Sequence, residues 1–189
     1  MITDDLARGS RVAIRSLRHE DRAEFTRLAR ANAELHRPWL APPTTDAEFD
    51  AYLARFEDPA ARACFVICLA ETGELAGYVA VNNIVHGAFR CGALGYGAFV
   101  AGRGLVAEGV DLVIRHAFTE LGLHRLEVNV QPENLRSIAL AKRLGFRLEG
   151  FSPDFLFIDG AWRGHERWAI TADMVDGLAQ GPLRRAAAG

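Results

Sequence analysis

Two stretches of the chain carry residue types that could do chemistry, and the first is FVAGRGLVAEGV at residues 99–110. An apolar segment runs through Ala-Gly-Arg-Gly directly into a helical pattern. Glycines let a turn bring its backbone N–H groups together, and a helix start adds partial positive charge, so the stretch suits a phosphate or pyrophosphate. A plain tight turn at Gly102 and Gly104 would use the same residues. The glycine patterns of dinucleotide folds and P-loop NTPases are absent from it.

The second stretch is NVQPENLRSIALAKRLGF at residues 129–146, where a short helix follows an apolar strand. Asn134 stands at the N-cap position, Ser137 falls in the first turn, and Gly145 ends the helix. A capped helix alone would account for these residues, because a side-chain N-cap stabilises a helix by about 1 kcal/mol. The alternative is that the helix start faces a bound cofactor and that Ser137 takes part in its chemistry.

Composition limits the function classes. The 189 residues are half hydrophobic with a net charge of −2, which fits one domain and gives no reason to expect nucleic acid as a partner. The start MITDDLARGS is unlike a signal peptide, and no apolar run approaches the roughly 18 residues of a membrane span.

Cys64 and Cys68 share one face of a strand and are expected to be buried thiols. The three cysteines predict a reducing cytoplasm, and the six histidines show no metal-binding spacing.

Hydrophobic periodicity predicts an alternating series of strands and helices. Thr45 and Glu48 form a capping box before an apolar helical stripe, and Asp159-Gly160 joins two terminal strands in a hairpin. Helices are predicted over residues 20–32, 44–58, 105–121 and 135–144, and strands at RVAIRSL, CFVICLA, LAGYVAVNNI, GALGYGAF, RLEVNV, FLFI and AWRGHERWAIT. We therefore expect one α+β domain around a mixed sheet over residues 1–176, with a frayed tail at 177–189.

The order of these elements, together with Ala-Gly-Arg-Gly, Asn-x-x-Ser and Leu-Gly-Phe, resembles the GNAT superfamily of acetyl-CoA-dependent N-acetyltransferases. Within it the chain is most similar to the RimJ/RimL-type protein N-terminal acetyltransferases, through LHRPWL at 35–40 and the stretch 116–170. The resemblance implies the GNAT fold, a mixed, mostly antiparallel sheet flanked by helices. That sheet is splayed between LGYGAF and RLEVNV. Acetyl-CoA is implied as co-substrate, without a metal.

The resemblance also implies where coenzyme A binds. A pyrophosphate loop corresponds to residues 101–106, and pantetheine contacts fall on the strand before it. The implied cofactor-binding residues are Phe99, Val100, Ala101, Gly102, Arg103, Gly104, Leu105, Val106, Asn134 and Ser137. Gly104 keeps the family pattern, whereas Ala101 and Val106 depart from it. The link between LGY and AGRG is about two residues shorter than in relatives, so the coenzyme contacts of residues 97–100 are expected to be displaced.

Catalytic roles follow from the same resemblance. The tyrosine that protonates the thiolate in many relatives corresponds to Ala141, and a base proposed in some RimL-type enzymes corresponds to Leu156, so both groups are missing. Ser137 is implied as the thiolate's donor. Glu127 lies on the strand beside the cofactor gap and is the carboxylate nearest to that gap by sequence. It is a candidate base, or else a surface or supporting strand residue. A peptide α-amine has a pKa of about 7.7–8.0, so no strong base is required. His165 is a candidate for lining the acceptor groove.

Three functions remain open on the sequence. The leading one is acetylation of the N-terminal α-amine of a protein, a ribosomal protein being the family's usual acceptor. The alternatives are acetylation of a small amine, such as an antibiotic, polyamine or amino-acid derivative, and a non-catalytic acetyl-CoA-binding module. A peptide needs an open groove and a small amine a closed acidic pocket. An acidic rim could come from Asp46, Glu48, Asp50, Glu57 and Asp58, although exposed helix charges usually form a solvated face. A homodimer is a further expectation.

Overall fold

The structure, a computed structural model, describes residues 4–175 of the chain, so the predicted tail at 177–189 lies outside the described residues. Eight strands form one sheet: β1 (Ala7–Arg8), β2 (Val12–Ser16), β3 (Ala63–Leu69), β4 (Leu75–Val85), β5 (Cys91–Ala98), β6 (Arg125–Val130), β7 (Arg147–Ile158) and β8 (Ala161–Thr171). The helices are α1 (Arg22–Ala31), α2 (Ala33–His36), α3 (Asp46–Ala54), α4 (Leu105–Thr119) and α5 (Leu135–Arg143).

The sheet is mixed and mostly antiparallel. Its order is β1-β2-β3-β4-β5-β6-β8-β7, and β5 with β6 is the one parallel pair among the described strands. That parallel ladder runs from Cys91 opposite Arg125 to Leu94 opposite Val128. β5 continues to Ala98 and β6 to Val130 beyond it, so the two strands diverge and leave a gap in the middle of the sheet.

The two faces of the sheet bury two separate cores, because successive strand residues point to opposite sides. On β3, Phe65 and Ile67 pack in the larger core, which α4 covers. Cys64 and Cys68 belong to the other core, which α1 and α3 cover. The prediction that the two cysteines are buried on one face is confirmed. Burial raises the pKa of Cys64 to about 12, so its thiol stays protonated at neutral pH.

Most predicted elements are present, with two differences. α3 begins with the expected capping box, in which the Thr45 side chain accepts from the Glu48 N–H. β7 begins at Arg147, well before the predicted FLFI segment. The prediction missed the first part of the strand because register shifts between Leu148/Gly150 and Ser152/Leu156 interrupt the alternating pattern. β1 and α2 have no sequence prediction, since elements of two and four residues show no periodicity.

Candidate active site

The glycine turn between β5 and α4 is built to receive an anion. Gly102 and Gly104 have φ angles of 80° and 71°, the left-handed region that glycine adopts without strain. Within residues 4–175, no protein acceptor takes the backbone N–H groups of 101–107. The Arg11 guanidinium instead holds the carbonyls, donating to the Arg103 oxygen at 2.8 Å and the Gly104 oxygen at 3.4 Å. Free N–H groups at the positive end of α4 make this turn suitable for a phosphate.

The turn opens into a cavity of about 980 Å³ that occupies the gap in the sheet. Its walls are residues 94–98 of β5, residues 128–131 at the end of β6, and the first turn of α5. Arg136 and Arg143 also line it, and neither guanidinium has an ion-pair or hydrogen-bond partner in the described part of the chain. Arg143 lies next to the turn, because its Nη1 is 3.6 Å from the point that a Cβ on Gly104 would occupy. The cavity therefore offers cations as well as N–H groups to phosphates.

A pair of hydroxyl groups bridges the gap. Tyr96 Oη on β5 and Ser137 Oγ on α5 share a hydrogen bond of 2.7 Å, just beyond the last paired residues of the two strands. Burial raises the pKa of Tyr96, which keeps the phenol protonated. Tyr96 is not among the candidates that the sequence indicated. Its only signal was a hydroxyl on the strand that precedes the glycine turn, and nothing in the sequence connects it with a serine 41 positions away.

Asn134 caps α5 as predicted, because its Oδ1 accepts the Ser137 N–H at 3.1 Å. The cap belongs to the asparagine, so the Ser137 hydroxyl is left for Tyr96.

We predict that Asn134→Ala lowers the free energy of unfolding by about 1 kcal/mol, the usual loss of a side-chain cap. Denaturant unfolding measures it. Glu133→Ala, an exposed neighbour, is the matched control and should change stability by less than about 0.5 kcal/mol. Equal stability of the two variants would show that the cap does not hold the start of α5.

Not all of the residues proposed to bind the coenzyme at and just before the turn face the cavity. Phe99 is buried in the core beside α1 and does not line the cavity, and the exposed Arg103 does not line it either. Val100 lines it, but the N–H groups of Phe99 and Val100 both donate to the Ala76 oxygen, at 2.9 and 3.1 Å. Those two N–H groups are engaged with β4, so a pantetheine contact at this level needs other partners.

Glu127 lies on β6 but outside the cavity lining. Its Oε1 accepts from Arg125 and its Oε2 from Arg167, each at 2.9 Å. Arg125 also binds Glu149, and the Arg125 and Arg147 guanidiniums lower the pKa of Glu149 to about 2. Both oxygens of Glu127 are thus committed to an ion-pair network that ties β6 to β7 and β8.

The other positions weighed in the sequence are also located. Ala141 is buried on α5 and Leu156 is partly exposed on β7, so neither supplies an acid or a base. His165 is buried and lines the cavity in the gap of the sheet, with its Nδ1 2.9 Å from the Arg163 oxygen. The sequence proposed it for the acceptor groove, but it does not line the second cavity, to which that name is given below.

A second cavity of about 780 Å³ adjoins the first and shares with it four lining residues, His36, Arg37, Trp39 and Leu40. Its walls are residues 36–44, α3 and the β7–β8 turn. The charged residues that line it balance, because two arginines stand against two carboxylates: Arg37, Arg55, Glu48 and Asp159. We call this cavity the acceptor groove.

The acidic residues of α3 do not make the groove acidic. Glu48 Oε2 accepts from the Thr44 N–H at 2.7 Å and the Thr45 N–H at 3.1 Å, and these bonds lower its pKa. Asp46 and Asp50 pair with Arg22 and do not line the groove. Glu57 and Asp58 lie outside the lining as well.

Residues 4–175 contain no group of three or more His, Cys, Asp or Glu that could hold a metal ion. None of the helices in this range is long and apolar enough to cross a membrane.

Comparison with known proteins agrees with this geometry. Residues 11–147 match the family model described as the acetyltransferase (GNAT) domain. That match covers more than half of the chain, so the chain belongs to the GNAT acetyltransferase family. The predicted superfamily and the predicted fold are confirmed.

Individual relatives divide between two acceptor classes. The solved structure of Mycobacterium smegmatis RimJ in complex with CoA-disulfide superposes with a TM-score of 0.81 at 30% identity, covering 93% of this chain and 89% of that one. The [ribosomal protein uS5]-alanine N-acetyltransferase of Escherichia coli is 40% identical over 100 residues, and the match spans about half the length of each protein. The spermidine N(1)-acetyltransferase of the same organism is 30% identical over 162 residues, 84% of this chain and 85% of the relative.

Proposed function

We propose that this chain transfers the acetyl group of acetyl-CoA to a primary amine by direct attack, and that the acceptor is the N-terminal α-amine of a protein, such as a ribosomal protein. The observation that carries the proposal is the glycine turn. Its unpaired N–H groups open into the cavity that also holds the Tyr96–Ser137 pair. A phosphate site and a proton donor in one cavity fit a phosphate-bearing thioester.

In this proposal the N–H groups of 101–107 hold the pyrophosphate, and Arg136 and Arg143 neutralise phosphate charge. The pantetheine arm lies between β5 and β6, where the diverging strands line the cavity. The solved RimJ structure, which is in complex with CoA-disulfide, supports coenzyme A as the ligand. Acetyl-CoA supplies the thioester, and the chain's residues orient it.

Ser137 is the proposed donor to the departing thiolate. A carbon–nitrogen bond forms as the carbon–sulfur bond breaks, and the negative charge that develops on sulfur accepts a hydrogen bond from the serine hydroxyl. A thiol has a pKa of about 8.5, so an alcohol need only stabilise the thiolate and need not protonate it fully. Tyr96 polarises the Ser137 hydroxyl through the hydrogen bond between them. Its phenol takes the role of the tyrosine that many relatives carry on this helix, where this chain has Ala141. This hydroxyl pair argues against a purely binding module.

The acceptor groove favours a peptide over a polyamine. A polycation needs several free carboxylates, but the groove's charges balance and Glu48 is committed to capping α3. A peptide N-terminus brings one amine on an extended chain, which suits a groove of about 780 Å³ along residues 36–44. Spermidine remains the second candidate, because the similarity to the spermidine acetyltransferase extends over 84% of the chain. A cytoplasmic location and a homodimer remain predictions.

We expect turnover on short peptides with a free, small N-terminal residue. Labelled acetyl-CoA is incubated with the chain and two panels, one of peptides that differ in the first residue and one of polyamines and amino-acid derivatives, and the products are read by mass spectrometry. Transfer confined to the small amines would contradict the proposed acceptor. Transfer to neither panel, with coenzyme A still bound, would favour a binding module.

A further inference from the structure

His36 stands where the two cavities meet. It is the last residue of α2, and the residue is 3% exposed. It lines both the acceptor groove and the cavity of about 980 Å³ in the gap of the sheet, which we call the coenzyme cavity. Its Nε2 is 2.9 Å from the Ala98 carbonyl oxygen. A carbonyl only accepts, so Nε2 carries the proton and Nδ1 of the neutral ring carries a lone pair.

That lone pair is unused. His36 Nδ1 is buried, and it has no hydrogen-bond partner among the described residues. An unsatisfied buried acceptor costs about 1–3 kcal/mol, so a site that keeps one usually has a reason for it. The ring is also held in place, because it meets the Phe99 ring edge-on at 6.1 Å and Phe99 meets Phe25 at 5.0 Å. A fixed, buried acceptor at a junction of cavities is arranged to meet a ligand.

The position of His36 suits the amine side of the reaction. Tyr96 and Ala98 are two residues apart on β5, so the strand places the anchor of His36 about 7 Å from the Tyr96 backbone. The Tyr96–Ser137 pair thus marks the thiolate side, and His36 lies along the same strand toward the acceptor groove. An attacking amine must sit between a thiolate donor and a proton acceptor.

We propose that Nδ1 of His36 accepts a hydrogen bond from the acceptor amine and takes the proton that this nitrogen loses as it attacks the thioester. The inference rests on the acetyl transfer proposed above. The carbon–nitrogen bond forms, the carbon–sulfur bond breaks, and the nitrogen's proton passes to Nδ1. The sulfur leaves as a thiolate that accepts a hydrogen bond from the Ser137 hydroxyl. The imidazolium then releases its proton to solvent through the groove.

The protonation state of His36 fits this role. Burial lowers its pKa, and the hydrogen bond to Ala98 only partly offsets that effect, so the ring is neutral at pH 7. The titratable groups around it in the groove are Glu48, Tyr52, Arg55 and Asp159, and those in the coenzyme cavity include Glu34, Arg37, Tyr96 and His165. Because the folded pKa lies below 6.5, the acceptor form is present at neutral pH, and kcat/KM should fall as the pH drops through that lowered pKa.

His36→Gln is the sharpest test, because a glutamine amide can donate to the Ala98 oxygen as Nε2 does but offers no basic nitrogen at the position of Nδ1. We expect kcat/KM for the peptide acceptor to fall by about 10- to 100-fold, less than the full range of general base catalysis because part of the α-amine is already neutral. The acidic limb of the pH profile should be lost, and the Kd for coenzyme A and the Tm should stay near those of the parent. His116→Gln is the matched control: a half-buried histidine on α4, outside both cavities, whose pKa burial also lowers.

Two outcomes would overturn the proposal. One is full kcat/KM with an unchanged pH profile in His36→Gln. The other is a loss in His36→Ala that His36→Gln restores, which would show that only the bond to Ala98 matters. A readout without turnover separates this proposal from the proposed function: ¹⁵N NMR of His36 during titration with an Ala-initiated tripeptide in the presence of coenzyme A. A shift of the Nδ1 resonance supports the contact even if no transfer occurs, and an unmoved Nδ1 resonance at saturating tripeptide contradicts it.

Discussion

Ser137→Ala is expected to lower kcat by about 10- to 1000-fold, since acid catalysis typically contributes about 10²–10⁴ and an alcohol is a weak acid. The interaction strengthens as charge develops on sulfur, so the loss should fall on kcat and not on coenzyme binding. The Tm should barely change, because Asn134 caps α5. Steady-state kinetics on the best peptide acceptor, with calorimetry for coenzyme A, measures both quantities.

Tyr96→Phe tests whether the Tyr96 and Ser137 hydroxyls act together or the Ser137 hydroxyl acts alone. It keeps the partly buried ring and removes the partner of Ser137, so kcat should fall by less than in Ser137→Ala. The double variant should be no slower than Ser137→Ala, because the two hydroxyls act as one unit. Tyr78→Phe is the control, a buried phenol on the neighbouring strand β4, in the core beside α1 and outside both cavities. Full kcat in Ser137→Ala would reduce the start of α5 to a capped turn.

Gly104→Val should weaken coenzyme A binding by about 100-fold or more. A β-branched residue cannot adopt the φ of 71° without strain, so the turn that gathers the N–H groups is lost. Losing two charge-assisted hydrogen bonds, at about 1.5–3 kcal/mol each, accounts for that factor. Calorimetric titration with coenzyme A in the presence of a chelator gives the Kd and tests at the same time whether any metal is needed.

Two controls separate the local strain from the binding site. Gly87 has the same φ of 71° in the exposed turn before β5, so Gly87→Val imposes similar strain far from the cavity and should leave the Kd unchanged. Arg103→Ala should weaken binding far less than Gly104→Val, because the exposed Arg103 does not line the cavity. Equal losses in Gly104→Val and Arg103→Ala would assign the binding to the arginine side chain instead of the backbone.

The local parts of this fold could be read from the sequence because their signals are local. The strand RLEVNV alternates cleanly and lies at the predicted residues 125–130, and the Thr45–Glu48 box and the Asn134 cap form as their spacing predicts. The glycine turn was indicated by its own residues, whereas the diverging strands followed from the resemblance to a known family. β7 was placed too late because its irregular register hides the alternation on which strand prediction depends.

The chemistry of the site was harder to predict because it depends on contacts across the fold. Tyr96 meets Ser137 only because the sheet splays, and His36 gains its unused nitrogen from a carbonyl 62 positions away. Glu127 is near the gap in sequence but is held by Arg167, 40 positions away, which no spacing rule could show. Sequence patterns identify the elements that carry a site, whereas the pairing of side chains needs the packed structure.

The central claim, transfer to the N-terminal α-amine of a polypeptide, is tested most directly by one competition. Labelled acetyl-CoA is offered to an equimolar mixture of spermidine and a peptide that begins with alanine and contains an internal lysine, and fragment ions locate the label. We expect the label on the alanine α-amine, with little on the lysine or on spermidine, and none when the α-amine is blocked beforehand. Label mainly on spermidine, or equally on the lysine and the α-amine, would contradict the account.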